Sequence, residues 1–295
     1  MAISVSDEMR AWLDERQRTK CAAIRENPIY DKELFLPIRG TKIRCLEFIP
    51  TSEGCLPAVF DVHGGGFTNG YPEEDDLICR RICDELQVRV FSIDYRLAPD
   101  YPFPEGQLDV YEAISYIVTN AEAFGVDPER IAACGHSAGG NLVLGSALRA
   151  VESGAFALKG LILDYPSLDM ATPPAEKFFI EGCIPIALSD LFNACYMLPE
   201  QSRDFLCSPC FAPDEMLRRL PPVTMLSCEI DSLRVENEAL AARLVSLGVE
   251  VTARRFLGQA HAFNVKYDNP AAMESISLMV RSLRSYLSPG NSRLS

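Results

Sequence analysis

Ser137 is the first residue in this chain whose setting suits chemistry. It lies in Gly135-His136-Ser137-Ala138-Gly139, a Gly-x-Ser-x-Gly run. Before it comes the apolar stretch Ile131–Cys134, and after it a helical pattern with Val143, Ala147, Ala150 and Val151 on one face. A serine on a very tight strand-to-helix turn has its hydroxyl exposed at a helix N-terminus. Small residues two before and two after let the neighbouring chain pass. The helix dipole there favours developing negative charge, which suits a nucleophile. A second motif, His63-Gly64-Gly65-Gly66-Phe67, follows the strand candidate Leu56–Val62. Alone it reads as a flexible glycine turn. Beside a serine elbow, its bare N–H groups suit an oxyanion hole, with the N–H of Ala138 as a further donor.

A serine alcohol is a weak nucleophile until a base takes its proton. The chain holds only three histidines. His63 belongs to the glycine loop, and the side chain of His136 on a sharp elbow should point away from the serine hydroxyl. His261, in Gly258-Gln259-Ala260-His261-Ala262-Phe263 after the last strand candidate, remains as the base. The acid should lie between serine and histidine at a strand's C-terminal end. Asp231 follows Val223–Cys228 and fits, with Glu229 and Asp169 as rivals. Asp231 also reads as a helix N-cap, a role compatible with the first.

These residues need a frame that brings them together. Leu56–Val62, Val88–Asp94, Ile131–Cys134, Leu158–Asp164, Val223–Cys228 and Val249–Phe256 are continuous apolar runs, as parallel strands covered on both faces require. Helical patterns separate them. One has Leu240, Leu244 and Leu247 on a face, and a closing helix over 271–287 stops at Pro289-Gly290. Strand and helix in alternation predict an α/β fold with a mostly parallel central sheet and helices on both faces. Glu33–Ile38 and Lys42–Ile49, joined at Gly40-Thr41, predict an antiparallel hairpin at one edge. Residues 170–215 are far too long for an ordinary connection and read as an insertion that covers something. Residues 1–25 read as a charged helix outside the sheet.

Length and composition agree with a single domain over 1–295. The chain is 48% hydrophobic and 23% charged, ordinary globular values. With 28 Lys+Arg against 41 Asp+Glu, the net charge is −13, which disfavours nucleic acid and anionic membrane surfaces as partners. No stretch reaches the roughly 18 uncharged apolar residues of a membrane span. Asp7, Glu8, Arg10, Asp14 and Glu15 occupy the place of a signal peptide's apolar region. Eleven cysteines, irregularly spaced, read as reduced thiols, and the expected location is the cytoplasm.

His63-Gly-Gly-Gly-Phe67, Asp94-Tyr-Arg-Leu-Ala-Pro99, Gly135-His-Ser-Ala-Gly-Gly140 and the surroundings of Asp231 and His261 resemble the hormone-sensitive-lipase group of α/β-hydrolases. Leu206-Cys-Ser208-Pro209 ahead of Leu220-Pro-Pro222 adds to the resemblance, which runs over roughly 55–287. It implies an α/β-hydrolase fold and a cofactor-free, cytosolic serine carboxylesterase for short-chain acyl esters. It further implies Gly65, Gly66 and Ala138 as oxyanion donors, and a helical cap from about 1–25 and 170–215. The chain departs from the family where His136 replaces an acid, and where Ser232 and Val235 replace a proline and a second acid after Asp231.

Other signals are weaker. Cys207-Ser-Pro-Cys210 lacks a second ligand pair, so no metal is expected, and no dinucleotide or P-loop fingerprint is present. Phe67, Tyr71, Phe179, Tyr196 and Phe263 are candidates to line a substrate pocket for a small-molecule ester. The same motifs would serve a carbohydrate deacetylase, an amidase or a lactonase. A non-catalytic ligand-binding protein on this scaffold is the more distant alternative, and the presence of His261 argues against it. The last strand, if it is a sheet edge, offers a surface for a homodimer.

Overall fold

Consecutive apolar residues give each inner strand two buried faces, and the fold uses both. The structure, a computed structural model, describes residues 3–22, 27–265 and 269–288. The strands are β1 (Lys32–Ile38), β2 (Thr41–Phe48), β3 (Leu56–Val62), β4 (Arg89–Asp94), β5 (Val126–His136), β6 (Leu161–Asp164), β7 (Val223–Ile230) and β8 (Val251–Ala260). They form one eight-stranded sheet in the order β1-β2-β4-β3-β5-β6-β7-β8. The β1–β2 and β2–β4 pairs are antiparallel, and every later pair is parallel.

The helices are α1 (Asp7–Cys21), α2 (Asp76–Leu86), α3 (Glu105–Thr119), α4 (Ala138–Ser153), α5 (Ile186–Tyr196), α6 (Asp214–Leu217), α7 (Arg234–Ser246) and α8 (Pro270–Leu287). On one face Phe60, Ala133 and Met225 pack with Ile114 of α3, Leu144 of α4 and Leu244 of α7. On the other, Val59, Cys134 and Leu226 pack with Ile82 of α2 and Met279 of α8. Neighbouring strand residues thus serve opposite cores, as the pleat demands.

Most strand ends shift by a residue or two from the apolar-run reading, and three larger differences have a local reason. β5 begins at Val126 because Val126 pairs with Leu56 across a register shift; polar Asp127, Pro128 and Glu129 hide that extension. β6 begins at Leu161, after Gly160, where the Tyr286 ring packs so closely that a Cβ would lie 2.0 Å from it. β8 is not covered on both faces: it is the sheet edge, and Phe256 is its one fully buried residue. The expected stop at Pro289-Gly290, and residues 1, 2 and 23–25 of the N-terminal segment, lie outside the described residues.

The two segments outside the strand–helix rhythm lie together. Ser6 caps α1 by accepting from the Met9 N–H at 3.2 Å, and acidic residues in the first turn and basic ones in the last suit the helix dipole. Residues 170–215 run between β6 and β7 and contain α5. Met9 Sδ of α1 lies 3.9 Å from Cys195 Sγ of α5. All eleven cysteines are free. No described helix is long and apolar enough to cross a membrane.

Candidate active site

The turn from β5 to α4 is as tight as its sequence demands. Ser137 has φ 54° and ψ −115°, a left-handed conformation that side chains rarely adopt. It is held there because its N–H donates to the Asp164 carbonyl at 2.9 Å and its carbonyl accepts from the Ser167 N–H at 3.2 Å. The flanking glycines are steric necessities. A Cβ on Gly135 would lie 2.4 Å from the Gly139 carbonyl oxygen, and one on Gly139 would lie 2.0 Å from that of Val62. Both obstacles are backbone and cannot turn aside. Gly139→Ala is therefore expected to destabilise the fold by about 3 kcal/mol or more, read as a large fall in Tm or loss of soluble protein. An unchanged Tm would contradict this account of the elbow.

Three distant side chains converge at the C-terminal edge of the sheet. His261 Nε2 lies 2.9 Å from Ser137 Oγ, and His261 Nδ1 lies 2.8 Å from Asp231 Oδ2. Asp231, buried just past β7, accepts from the Leu233 N–H at 3.0 Å with its other oxygen. It therefore shapes the turn into α7 without being the helix cap, a position held by Leu233. The rivals are engaged elsewhere. Glu229 accepts from the Gly258 N–H at 2.6 Å, and Asp169 accepts from Ala171, Thr172 and the Thr172 hydroxyl. Burial alone would lower the His261 pKa. The Asp231 charge and hydrogen bond, with Asp164 and Glu236 farther off, outweigh it and raise the pKa above the ordinary imidazole value.

The glycine loop faces the same space. Gly64, Gly65, Gly66 and Ala138 line a cavity of about 370 Å³ with Ser137 and His261. Gly65 has φ 124°, and a Cβ there would strike the Asn69 carbonyl at 1.6 Å. Ala138 is the first residue of α4, so its N–H has no carbonyl one turn earlier to bond. His63 holds the loop from behind. Its Nδ1 sits 2.8 Å from the Gly64 carbonyl and its ring stacks on Tyr95 at 4.4 Å. Burial pushes its pKa down to about 4, so it stays neutral and Nδ1–H donates.

His136 points away from Ser137 Oγ and into a buried polar group that sequence patterns do not reveal. Its Nδ1 lies 2.8 Å from Asp164 Oδ2, and its Nε2 faces Asp61 Oδ1 at 3.4 Å and Cys134 Sγ at 3.7 Å. Burial opposes its charge, but the Asp75, Asp164 and Asp61 carboxylates hold its pKa well above the ordinary value. Asp61, Cys134 and His136 place ligand-type atoms within 4.8 Å of one another. His136 thus lies between two buried carboxylates, with Asp164 at Nδ1 and Asp61 near Nε2. The same Asp164 oxygen accepts from Asn264 Nδ2 at 2.8 Å, and Asn264 Oδ1 accepts from the Tyr165 hydroxyl at 2.5 Å. The Tyr165 ring meets the His261 ring edge-on at 4.8 Å. The base of the elbow and the histidine loop are thus tied through one carboxylate.

Of the aromatic pocket candidates, Phe67 and Phe179 line the cavity, while Tyr71, Tyr196 and Phe263 do not. Tyr196 is stacked on Phe67 at 3.6 Å and buried in one core. Phe263 packs on Phe256 at 5.0 Å in the other core. The Tyr71 hydroxyl donates to the Lys20 carbonyl. Residues the sequence reading passed over complete the walls, among them Met170, Ile184, Leu188 and Phe192, with Arg16 and Lys177 as charged members. Leu188 and Phe192 stand four apart on α5 and so share a helix face, the spacing by which a sequence could have offered them. Ser232 also lines the cavity, whereas Val235 is exposed.

Known proteins are similar to this chain in sequence and fold. A family model described as an alpha/beta hydrolase fold matches residues 59–265. An arylesterase of Saccharolobus solfataricus is 32% identical over 76% of this chain and 73% of its own length. Carboxylesterase NlhH of Mycobacterium tuberculosis is 32% identical over 83% of this chain and 77% of its own. Among solved structures, a thermostable carboxylesterase cloned from a metagenomic library superposes with a TM-score of 0.86 at 36% identity, covering 97% of this chain and 99% of its own. Sheet order, serine elbow and sequence relatives agree, and the chain belongs to the α/β-hydrolase fold family, in its hormone-sensitive-lipase-like carboxylesterase group.

Proposed function

We propose that the protein is a serine carboxylesterase in which Ser137, His261 and Asp231 act in sequence on short-chain acyl esters. The observation that carries this is the unbroken chain of contacts from Asp231 through His261 to Ser137, at 2.8 and 2.9 Å, opening on a cavity rimmed by Gly65, Gly66 and Ala138. Neutral His261 takes the Ser137 proton at Nε2 as Oγ attacks the ester carbonyl. The carbonyl oxygen becomes an oxyanion, which accepts from the Gly65, Gly66 and Ala138 N–H groups. Asp231 holds Nδ1–H and stabilises the imidazolium. His261 then gives its proton to the departing alcohol. Water, deprotonated by the same nitrogen, attacks the acyl-enzyme; collapse of the second tetrahedral intermediate frees the acid and returns the proton to Ser137.

In this reading α1 and residues 170–215 form the cap, since both contribute walls to the cavity. The cytoplasm is its location, in keeping with eleven unpaired thiols. The open edge of β8 is where two copies would pair as a homodimer.

The test is a series of 4-nitrophenyl esters from acetate to palmitate, alongside labelling by a fluorophosphonate. The kcat/KM is expected to peak between acetate and hexanoate, with stoichiometric labelling of Ser137. A peak at palmitate would refute the short-chain assignment, and no labelling would refute the serine mechanism.

A further inference from the structure

We propose that Arg16 selects esters carrying a carboxylate or similar compact anion away from the scissile bond. The inference rests on the esterase reading and adds a substrate class to it.

Three cationic side chains line the catalytic cavity: Arg16, Lys20 and Lys177. Two of them are neutralised. Lys20 Nζ lies 2.8 Å from Glu74, and Lys177 Nζ lies 2.6 Å from Glu236. Among the described residues no carboxylate lies within ion-pair distance of Arg16. Among the described residues its one hydrogen bond is long, from Nε to Asn69 Oδ1 at 3.4 Å. Of the acids that face it across the cavity, Glu74 is the one bound by Lys20. Asp75 is buried and its charge is engaged with His136. The guanidinium is a permanent charge with five donors in a fork that fits a carboxylate at two points. Glu74 acts on Arg16 only at longer range, so in a chain of net charge −13 a cavity cation without an ion-pair partner among the described residues stands out.

Its position is built. The guanidinium carbon sits 5.3 Å from the Trp12 ring centroid and 5.9 Å from that of Phe192, within cation–π range of both. Phe192 is also the ring that a Cβ on Gly66 would strike at 2.4 Å. Arg16 therefore stands one ring away from the oxyanion loop, on the side closed by α1. Partial burial lowers its pKa and weakens its hydration, so a substrate anion displaces less water there than at the open surface.

The anion could sit on the acid or the alcohol of the ester, and two matched pairs distinguish these. Mono-4-nitrophenyl adipate is compared with 4-nitrophenyl hexanoate, and 4-(butanoyloxy)benzoate with its methyl ester. In the wild type at least one pair should favour the anionic member in kcat/KM. Arg16→Ala is expected to cut that anionic-to-neutral ratio at least tenfold, mainly through KM, and Arg16→Lys to cut it less. A ratio unmoved by Arg16→Ala, or a neutral preference in both wild-type pairs, would overturn the inference. If the wild type hydrolyses none of the four and Ser137 resists the fluorophosphonate, the esterase reading itself falls and takes this inference with it. If Ser137 is labelled but only the neutral esters turn over, the inference alone falls.

Discussion

Ser137→Ala is expected to lower kcat on a 4-nitrophenyl ester by about 10⁴-fold or more while leaving the Tm nearly unchanged. The size follows from the chemistry: without Oγ there is no acyl-enzyme, and what remains is the catalysis an oxyanion hole and binding can supply. The fold should survive because alanine asks for the same backbone. The φ of 54° is imposed by the contacts of Asp164 and Ser167 with the main chain of residue 137, and these do not involve the side chain. Steady-state kinetics and a thermal melt on the same preparation read both quantities. Activity within tenfold of the wild type would remove Ser137 from the mechanism.

The second large effect concerns Asp231. Asp231→Asn should cost about 10⁴-fold in kcat, because the amide cannot stabilise the imidazolium and can hold the ring in the wrong tautomer. The pH profile gives an independent readout. His261 must be neutral to take the Ser137 proton, so activity rises with pH as the imidazole loses its own. Its pKa is raised, with burial opposing and Asp231 the largest raising influence. The midpoint of kcat/KM against pH should therefore lie above the ordinary value of about 6.5, with activity lost below it. Removing the Asp231 charge should move that midpoint down. A wild-type profile flat from pH 5 to 8 would exclude His261 as the base, and a midpoint unchanged in Asp231→Asn would exclude Asp231 as its partner.

Much of this site could be read from the chain because its parts are local. The Ser137 elbow is a geometric demand written in five consecutive residues, where any side chain at 135 or 139 meets backbone at 2.0–2.4 Å. His261 followed from elimination among three histidines. Strand–helix alternation carried the topology, since parallel neighbours need crossover helices and those helices need apolar faces. The features harder to read are those set by remote neighbours: β8 groups with the covered strands by its apolar run, its place as an edge left open, and it has a partner on one side only.

The linear order of residues thus carried the reaction class and the layered frame, and it singled out Ser137 and His261 as the proposed nucleophile and base, because short-range sterics and hydrophobic periodicity dictate such local features. Folding decided which of Asp231, Glu229 and Asp169 reaches the imidazole, since all three lie near the C-terminal ends of neighbouring strands and their oxygens arrive at different partners. It also settled which aromatics wall the cavity, and it drew Asp61, His136, Asp164 and Asn264 from separate strands and loops into one buried network. Contacts of that kind depend on side-chain direction across long separations in the chain. Residue type and spacing carry no record of that direction.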